Sequence, residues 1–471
     1  MLRNTIILSI LFLSSGCASV PLQKDKAFTV AVEAVQDESY IDGVNAAYVF
    51  VDNADPDDPR YDRGLKLVAL SSEKLGLKYA AGMIFREIAT KRRNMTIVPD
   101  ALYGLKRIVE SEIFDEDMII TSFIASEDFG DIPDELKAFV LYYQGLDLMR
   151  RGADNWAWDV FAKIPHDSLY FYEAEYVKAV RSVAEGDYDK AIKQLEKLNK
   201  KKSLNEKIKI KVKRTLARIA FEEKRYHDAL RYFKAITKIA PEDPEILLET
   251  AWTYFYLGDA RKTLGLLLAL DAPVYKKNIS PERYLLEALA LRRLCQFGAA
   301  RAAAVRLKKR YNKSIKKLGS GFLPEQIDEM RDAARYLGRS KMNSFFLESI
   351  DSEIQRLDSL KDDMEPNLYK YLQNLYLKGR IEAVNRKEQY IKQDLKELAE
   401  ELLATREGMR LIIHELGVAL LRGRRRPLGV TEKAAFVVPK TGKKIFYTFG
   451  GEYWTDELDD LIVIAEDRCI D

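Results

Sequence analysis

Residues 211–241 read KVKRTLARIAFEEKRYHDALRYFKAITKIAP. Leu216, Ala217 and Ala220 are followed, across a short polar break, by Tyr226, Ala229 and Phe233, and the run closes on Pro241. Small and bulky apolar residues at helical spacings on both sides of a break describe two short helices packed against each other. The turn falls at Lys224. Working outward, the same turn position is met at Gly152, Gly186, Gly258 and Cys295, in steps of 34, 38, 34 and 37 residues. The small residue of the second helix recurs in phase as Ala157, Ala191, Ala229, Thr263 and Ala300, and the residue four places on as Phe161, Leu195, Phe233, Leu267 and Ala304. One such unit cannot bury its own apolar face, so neighbours have to stack.

The period continues towards the N-terminus. Gly76, Ala81, Phe85 and Ile88 lie two steps of 38 residues before Gly152 and its followers, and between them Asp100 to Glu127 reads as a degenerate copy in which only Ile119 and Phe123 keep their places. These residues together resemble the tetratricopeptide repeat. The resemblance implies an all-α fold, a right-handed superhelical solenoid whose concave groove is lined by defined first-helix positions. Those positions fall on Lys211, Arg214, Arg218, Phe221 and Glu222, then on Glu245, Leu248, Trp252, Phe255 and Tyr256, then on Glu282, Leu285, Leu289, Arg292 and Arg293. Arginines beside aromatic rings suit an extended or helical protein segment with acidic groups, since the guanidinium forks a carboxylate while the rings supply apolar area. The partner-binding candidates are therefore Lys211, Arg214, Arg218, Trp252, Phe255, Tyr256, Arg292 and Arg293. The plainer alternative is that Trp252 and Phe255 only pack against adjacent helices.

The start has the form of an export signal: Arg3, an apolar run from Thr5 to Leu13 that is too short to span a bilayer, and Ser14, Ser15 and Gly16 ahead of Cys17. It resembles a bacterial lipoprotein signal, which implies that Cys17 is acylated and becomes the mature N-terminus. Ser14 stands where that pattern usually has leucine, and cleavage after Ala18 by the general signal peptidase is the competing reading. Ala18, in place of an aspartate that would retain the protein at the inner membrane, implies an outer-membrane lipoprotein facing the periplasm. Two further cysteines, Cys295 and Cys469, remain. In an oxidising compartment they either pair or sit as two unrelated buried thiols.

The 471 residues are 47% hydrophobic and 32% charged with a net charge of +3, a soluble, helix-rich composition that gives no reason to expect nucleic acid as a partner. Nor does a catalytic constellation emerge. The three histidines, His166, His227 and His414, lie in separate segments, none with a metal-ligand neighbour at helical spacing, and there is no phosphate loop or Gly-x-Ser-x-Gly. No enzyme activity, cofactor or metal is expected.

After Gly319 the pattern changes. Leu347, Ile350, Ile354 and Leu357 are spaced 3, 4 and 3, and Ile391, Leu395, Leu398, Leu402, Thr405, Met409, Ile412 and Leu416 keep a 4, 3 alternation, the spacing of a supercoiled seam. One helix over Asn367–Leu421 would extend about 80 Å. A coiled-coil hairpin is expected, with part of the longer arm lying on the repeats or on a second copy of the chain. Beyond the arginines at 422 and 424–426, Ala435–Val438, Lys444–Phe449 and Leu461–Ala465 read as strands of a small sheet. The block from Phe446 to Leu458, with Cys469 after it, resembles the C-terminal block of tetratricopeptide-repeat lipoproteins of the myxobacterial type, some belonging to gliding-motility or envelope-assembly machinery; that resemblance favours pairing of Cys295 with Cys469. Glu452, Asp456, Glu457, Asp459 and Asp460 around Trp454 read as a solvated acidic turn.

The expected organisation is a signal peptide at 1–17, a tether and helix pair at 18–60, repeats at 61–318, long helices at 319–426 and a β-rich segment at 427–471. The expected function is a lipid-anchored periplasmic scaffold that binds a protein in its groove and could dimerise through the coiled coil. The rival is an envelope protein that binds peptidoglycan or another glycan through Trp454 and the arginine run.

Overall fold

The computed structural model describes residues 24–111, 122–125, 127–240, 243–275, 280–421, 462–463 and 465–469. Among them the regular elements are α-helices joined in places by 3₁₀ turns. The first are α1 (Lys24–Gln36), α2 (Tyr40–Asn53), α3 (Tyr61–Lys74), α4 (Lys78–Lys91), α5 (Val98–Ser111) and the single turn α6 (Ser122–Ile124). Next come α7 (Asp134–Arg150), α8 (Asp154–Phe161), α9 (Leu169–Ala184), α10 (Tyr188–Asn199), α11 (Glu206–Glu222) and α12 (Tyr226–Thr237). The repeats end with α13 (Pro244–Tyr256), α14 (Ala260–Ala269), α15 (Glu282–Arg293) and α16 (Phe297–Gly319), after which stand α17 (Asp328–Ala334), α18 (Gly338–Ser359) and the 56-residue α19 (Pro366–Leu421).

By compactness the chain divides into two units. The first runs to Ile108 and includes Asp351–Leu377; the second is Val109–Ile350 with the residues from Lys378 onward. Packing thus cuts across the change of helix length at 318/319.

In the first unit α1 pairs with α2 and α3 with α4. Its core holds Phe50, Phe85, Leu102 and Leu105. The returning segment 351–377 is fastened by polar bonds that leave few buried groups unsatisfied. Glu353 accepts from the Tyr376 hydroxyl at 2.6 Å and from the Tyr79 amide at 2.9 Å. Asn45 donates to the Asp363 carbonyl at 2.7 Å and accepts from the Glu365 amide at 2.8 Å. The buried carboxylate of Asp62 is met by Arg93 at 2.9 Å and by the Asn94 amide at 2.9 Å.

In the second unit α7/α8, α9/α10, α11/α12, α13/α14 and α15/α16 are successive helix hairpins. Their starts are written locally. Asn205 accepts from the Ile208 amide at 2.8 Å, and Asp243 from the Glu245 amide at 2.9 Å with Pro244 in the first turn, side-chain caps of the kind that hold a helix start. The small residue at the close approach of each pair is fully buried: Ala157, Ala191, Ala229, Thr263 and Ala300. At Gly145 the approach is closer still, since a Cβ there would collide with the Phe161 ring.

The seam of α19 is buried as its spacing requires, but against the repeats. Ile391, Leu395 and Leu398 pack with Ile327, Met330 and Ala334 of the α17 region. Leu402, Met409, Ile412 and Leu416 pack with Leu291, Ala304, Leu307 and Tyr311 of α15 and α16. These residues are consumed within the chain, so this half of the seam is not a coiled-coil surface for a second copy. At the level of Ile391 and Leu395 the long helix also meets α18, where Asp394 accepts from the Ser340 amide at 2.9 Å.

The expected terminal sheet is corrected where it can be followed. Among the described residues there is no strand; of Leu461–Ala465, residues 462, 463 and 465 form an extended tail with an isolated bridge at Ala465. Their apolar side chains pack on helices: Val463 and the 1% exposed Ala465 join the cluster of α15, α16 and α19. Ala435–Val438 and Lys444–Phe449 lie outside the described residues, as does the signal segment with Cys17.

Candidate functional site

The first helices of the second unit touch one another along one face, and the contacts recur at one repeat's offset. Lys211 of α11 reaches Glu173 of α9 at 3.3 Å and lies over the Tyr176 ring, whose hydroxyl bonds Thr215 at 3.1 Å. Arg214 bridges to Glu245 at 2.5 Å and to Glu249 at 2.7 Å of α13, and Arg218 meets the same Glu249 at 2.5 Å. Arg293 of α15 donates to the Phe255 carbonyl of α13 at 2.5 Å and lies over its ring. Arg292 pairs with Glu415 of α19 at 2.7 Å. A Cβ on Gly408 of α19 would stand 3.2 Å from Leu285 of α15. The long helix therefore takes, beside α15, the seat that α15 takes beside α13.

All eight expected groove residues lie in this row. Lys211, Arg214, Arg218 and Arg292 have carboxylates of the chain itself within salt-bridge distance. Burial, the largest influence on Arg214, would lower its pKa, yet the bonds and charge of Glu249 and then Glu245 hold it above the ordinary arginine value. Trp252, Phe255 and Tyr256 form an aromatic plate with Phe221 and Tyr226. Tyr256 stacks on Tyr226 at 5.1 Å between centroids and 12° between planes, lies 6.0 Å from Trp252 and meets Phe221 edge-on at 5.4 Å. With four ring neighbours Tyr256 still keeps 48% of its surface exposed.

At the N-terminal end of the row, carboxyls converge. Burial pushes Glu401 of α19 up to about 7, aided by the charge of Glu282 and, more weakly, of Glu245. Glu282 is raised as well, chiefly by burial and then by Glu249. The Trp252 indole N–H faces that carboxyl and favours its charged form without closing a well-formed hydrogen bond.

Cys295 and Cys469 are joined in a disulfide with their Cα atoms 5.1 Å apart. The tail is seated on the repeat turns by bonds to its main chain. Arg261 donates to the Ala465 carbonyl at 3.1 Å, Gln296 to the Glu466 carbonyl at 2.8 Å, and the Arg468 amide to the Leu294 carbonyl at 3.0 Å.

Sequence reasoning passed over Glu173, Glu249 and Glu415, which neutralise the row. A signal for Glu249 existed: it stands 35 residues after Arg214 and 31 after Arg218, one repeat on and of opposite charge. The histidines are not brought together; His166 packs edge-on to Phe171 at 4.5 Å. Among the described residues no group of three or more histidine, cysteine, aspartate or glutamate side chains could hold a metal. Trp454, its acidic neighbours and the arginines at 422 and 424–426 lie outside the described residues.

No protein-family model matches the chain, and no curated protein matches it. Among solved structures it is similar to the Cut9–Hcn1 hetero-tetramer of APC/C, with 12% identity, 85% of this chain and 87% of that one covered, and a TM-score of 0.29. It is also similar to the TPR domain of P58(IPK), with 15% identity, 86% and 99% covered, and a TM-score of 0.21. Likenesses this distant leave the repeat architecture resting on the chain's own helix hairpins.

Proposed function

We propose that this chain is a protein-binding scaffold of the bacterial envelope, held to the outer membrane by lipid on Cys17 and presenting the first-helix face of its second unit to a protein partner within an envelope assembly. The observation that carries the binding role is the aromatic plate of Phe221, Tyr226, Trp252 and Tyr256. It is built at the junction of two repeats and left open at Tyr256. Tyrosine and tryptophan give large contact area at small entropic cost and dominate interface energetics. The arginines tie neighbouring repeats together, so they support the face more than they offer it.

Two measurements test the proposal. Partners cross-linked to the full-length protein in intact cells are compared with those of Tyr256→Ala, a change at the exposed ring expected to abolish capture while circular dichroism shows the helices intact. An unchanged partner set rejects the face. Metabolic labelling with a palmitate analogue is expected to mark the wild type and not Cys17→Ala; an unlabelled wild type rejects the lipid anchor and leaves the binding face standing.

A further inference from the structure

Helix α16 is the second helix of the last hairpin, and its two sides differ in kind. Ala304, Leu307, Tyr311 and Ser314, spaced 3, 4 and 3, are buried. On the opposite side Val305, Lys309, Lys313 and Lys316, spaced 4, 4 and 3, are exposed, with Arg301, Lys308 and Lys317 flanking them. The 23 residues of the helix include no acid.

Elsewhere in this unit arginines are neutralised in place: Arg214 and Arg218 by Glu249, Arg292 by Glu415, and Arg306 of α16 itself by Glu287 at 2.5 Å. Among the described residues, Arg301, Lys308, Lys309, Lys313, Lys316 and Lys317 have no carboxylate within salt-bridge distance. The acids that follow the helix are engaged otherwise. Glu329 accepts from Ser314 at 2.8 Å on the buried side, and Asp332 pairs with Arg335.

The chain leaves α16 through a turn that shows apolar side chains to water. Phe322 is 49% exposed and Leu323 55%. The main chain of this tip is already bonded, from the Phe322 amide to the Lys317 carbonyl at 3.1 Å and from the Leu323 amide to the Gln326 side chain at 2.9 Å. Its shape is thus set with both side chains outside the core.

Unpaired cations beside an exposed apolar tip select among partners. A fixed carboxylate is met best by the planar fork of arginine, whereas lysine is a point charge on a flexible stem, suited to many mobile anions. Of the six cations here only Arg301 is not a lysine. A soluble polyanion would satisfy the charge and leave Phe322 and Leu323 in water. A bilayer satisfies both, its phosphates meeting the lysines and its acyl boundary the tip.

We infer that the outer side of α16 and the tip at Phe322 and Leu323 form a docking surface for a membrane that carries anionic phospholipid. This contact is separate from acylation at Cys17 and from the aromatic plate.

Purified full-length protein is mixed with phosphatidylcholine vesicles made with and without phosphatidylglycerol. Binding is expected to be at least about tenfold tighter to the anionic vesicles, since each lysine near such a surface contributes about fivefold. Lys309→Glu/Lys313→Glu/Lys316→Glu is expected to bring the two vesicle types within about twofold, as is about 0.5 M salt with the wild type. Taking the ratio of the two vesicles removes attachment through the N-terminal segment, which every variant shares. Phe322→Ala/Leu323→Ala is expected to weaken binding to anionic vesicles at least about fivefold and to leave binding to soluble polyphosphate unchanged. All five substituted positions are exposed, and circular dichroism of both variants is expected to match the wild type. Equal binding of the wild type to both vesicles overturns the inference. Vesicle binding that the Phe322/Leu323 variant does not weaken marks an acidic polymer as the partner and overturns it as well.

Discussion

Seven residues hold the repeats' turns in the left-handed region: Glu38, Gly76, Gly152, Gly186, Lys224, Gly258 and Cys295, with φ from 52° to 93°. In each, the amide after the turn residue reaches back to the carbonyl five before it, as from Leu77 to Ser72 and from Arg225 to Ala220. This bond closes an orphan carbonyl at the helix end. A side chain costs about 1 kcal/mol or more in this conformation, part of which glycine returns as unfolded-chain entropy. Lys224→Gly is therefore expected to stabilise the second unit by a few tenths to about 1 kcal/mol, read as a higher urea midpoint at unchanged slope; a lower midpoint rejects the strain assignment. Five of the seven positions were legible from the period alone, and Gly76 was found by tracing it back. Glu38 was not, although it stands one step of 38 before Gly76 and Gly43 follows it at the phase of Ala81, because Ala47 stands where Phe85 and Phe161 supply the bulky residue.

At the scale of an element, α19 shows what a periodic seam can and cannot say. Its 4, 3 spacing was enough to place Leu395, Leu398, Leu402 and Met409 inside, and all four are buried. Spacing specifies a buried face and not what covers it: of the covers the sequence left open for this arm, the repeats among them, helices α15, α16 and α17 are those that lie on residues 391–416. The same seat partly buries Glu401 beside Glu282, and its pKa rises in consequence. Glu401 titrates near 7 in the folded protein against 4.5 for a free side chain. The folded state therefore binds more protons between those values, its stability is fullest below the lower one, and stability is lost as pH rises through the upper one. A gap of that size is worth on the order of 3 kcal/mol at most. Urea midpoints of the second unit should fall between pH 5 and pH 8, and Glu401→Gln should flatten the fall and exceed the wild type at the alkaline end. Equal slopes for the two proteins would remove Glu401 as the cause.

For the whole chain, helix hairpins were readable because their contacts are local, while the composition of the units was not. The first unit is completed by Asp351–Leu377, more than two hundred residues beyond its last repeat helix. Nothing in a period of 34 to 38 residues tells a later segment where to return. The cysteines are the exception among long-range contacts. Cys295 and Cys469 are 174 residues apart, a separation over which a cross-link removes several kcal/mol of chain entropy from the unfolded state, typically 2–5 kcal/mol in net effect. The bond belongs wholly to the second unit, and the bonds from Arg261, Leu294 and Gln296 to the tail lie beside it. In Cys469→Ser, hydrogen exchange should quicken at residues 465–469, where the tail leaves its seat, and at 294–300, where Ala465 uncovers the start of α16. Exchange at 62–89 in α3 and α4 should stay as it was, since no described bond of that unit involves the tail. Quickening spread evenly over both units would mean that the strap stabilises the chain only through global unfolding, and equal protection everywhere would mean that the main-chain bonds hold the tail without the disulfide.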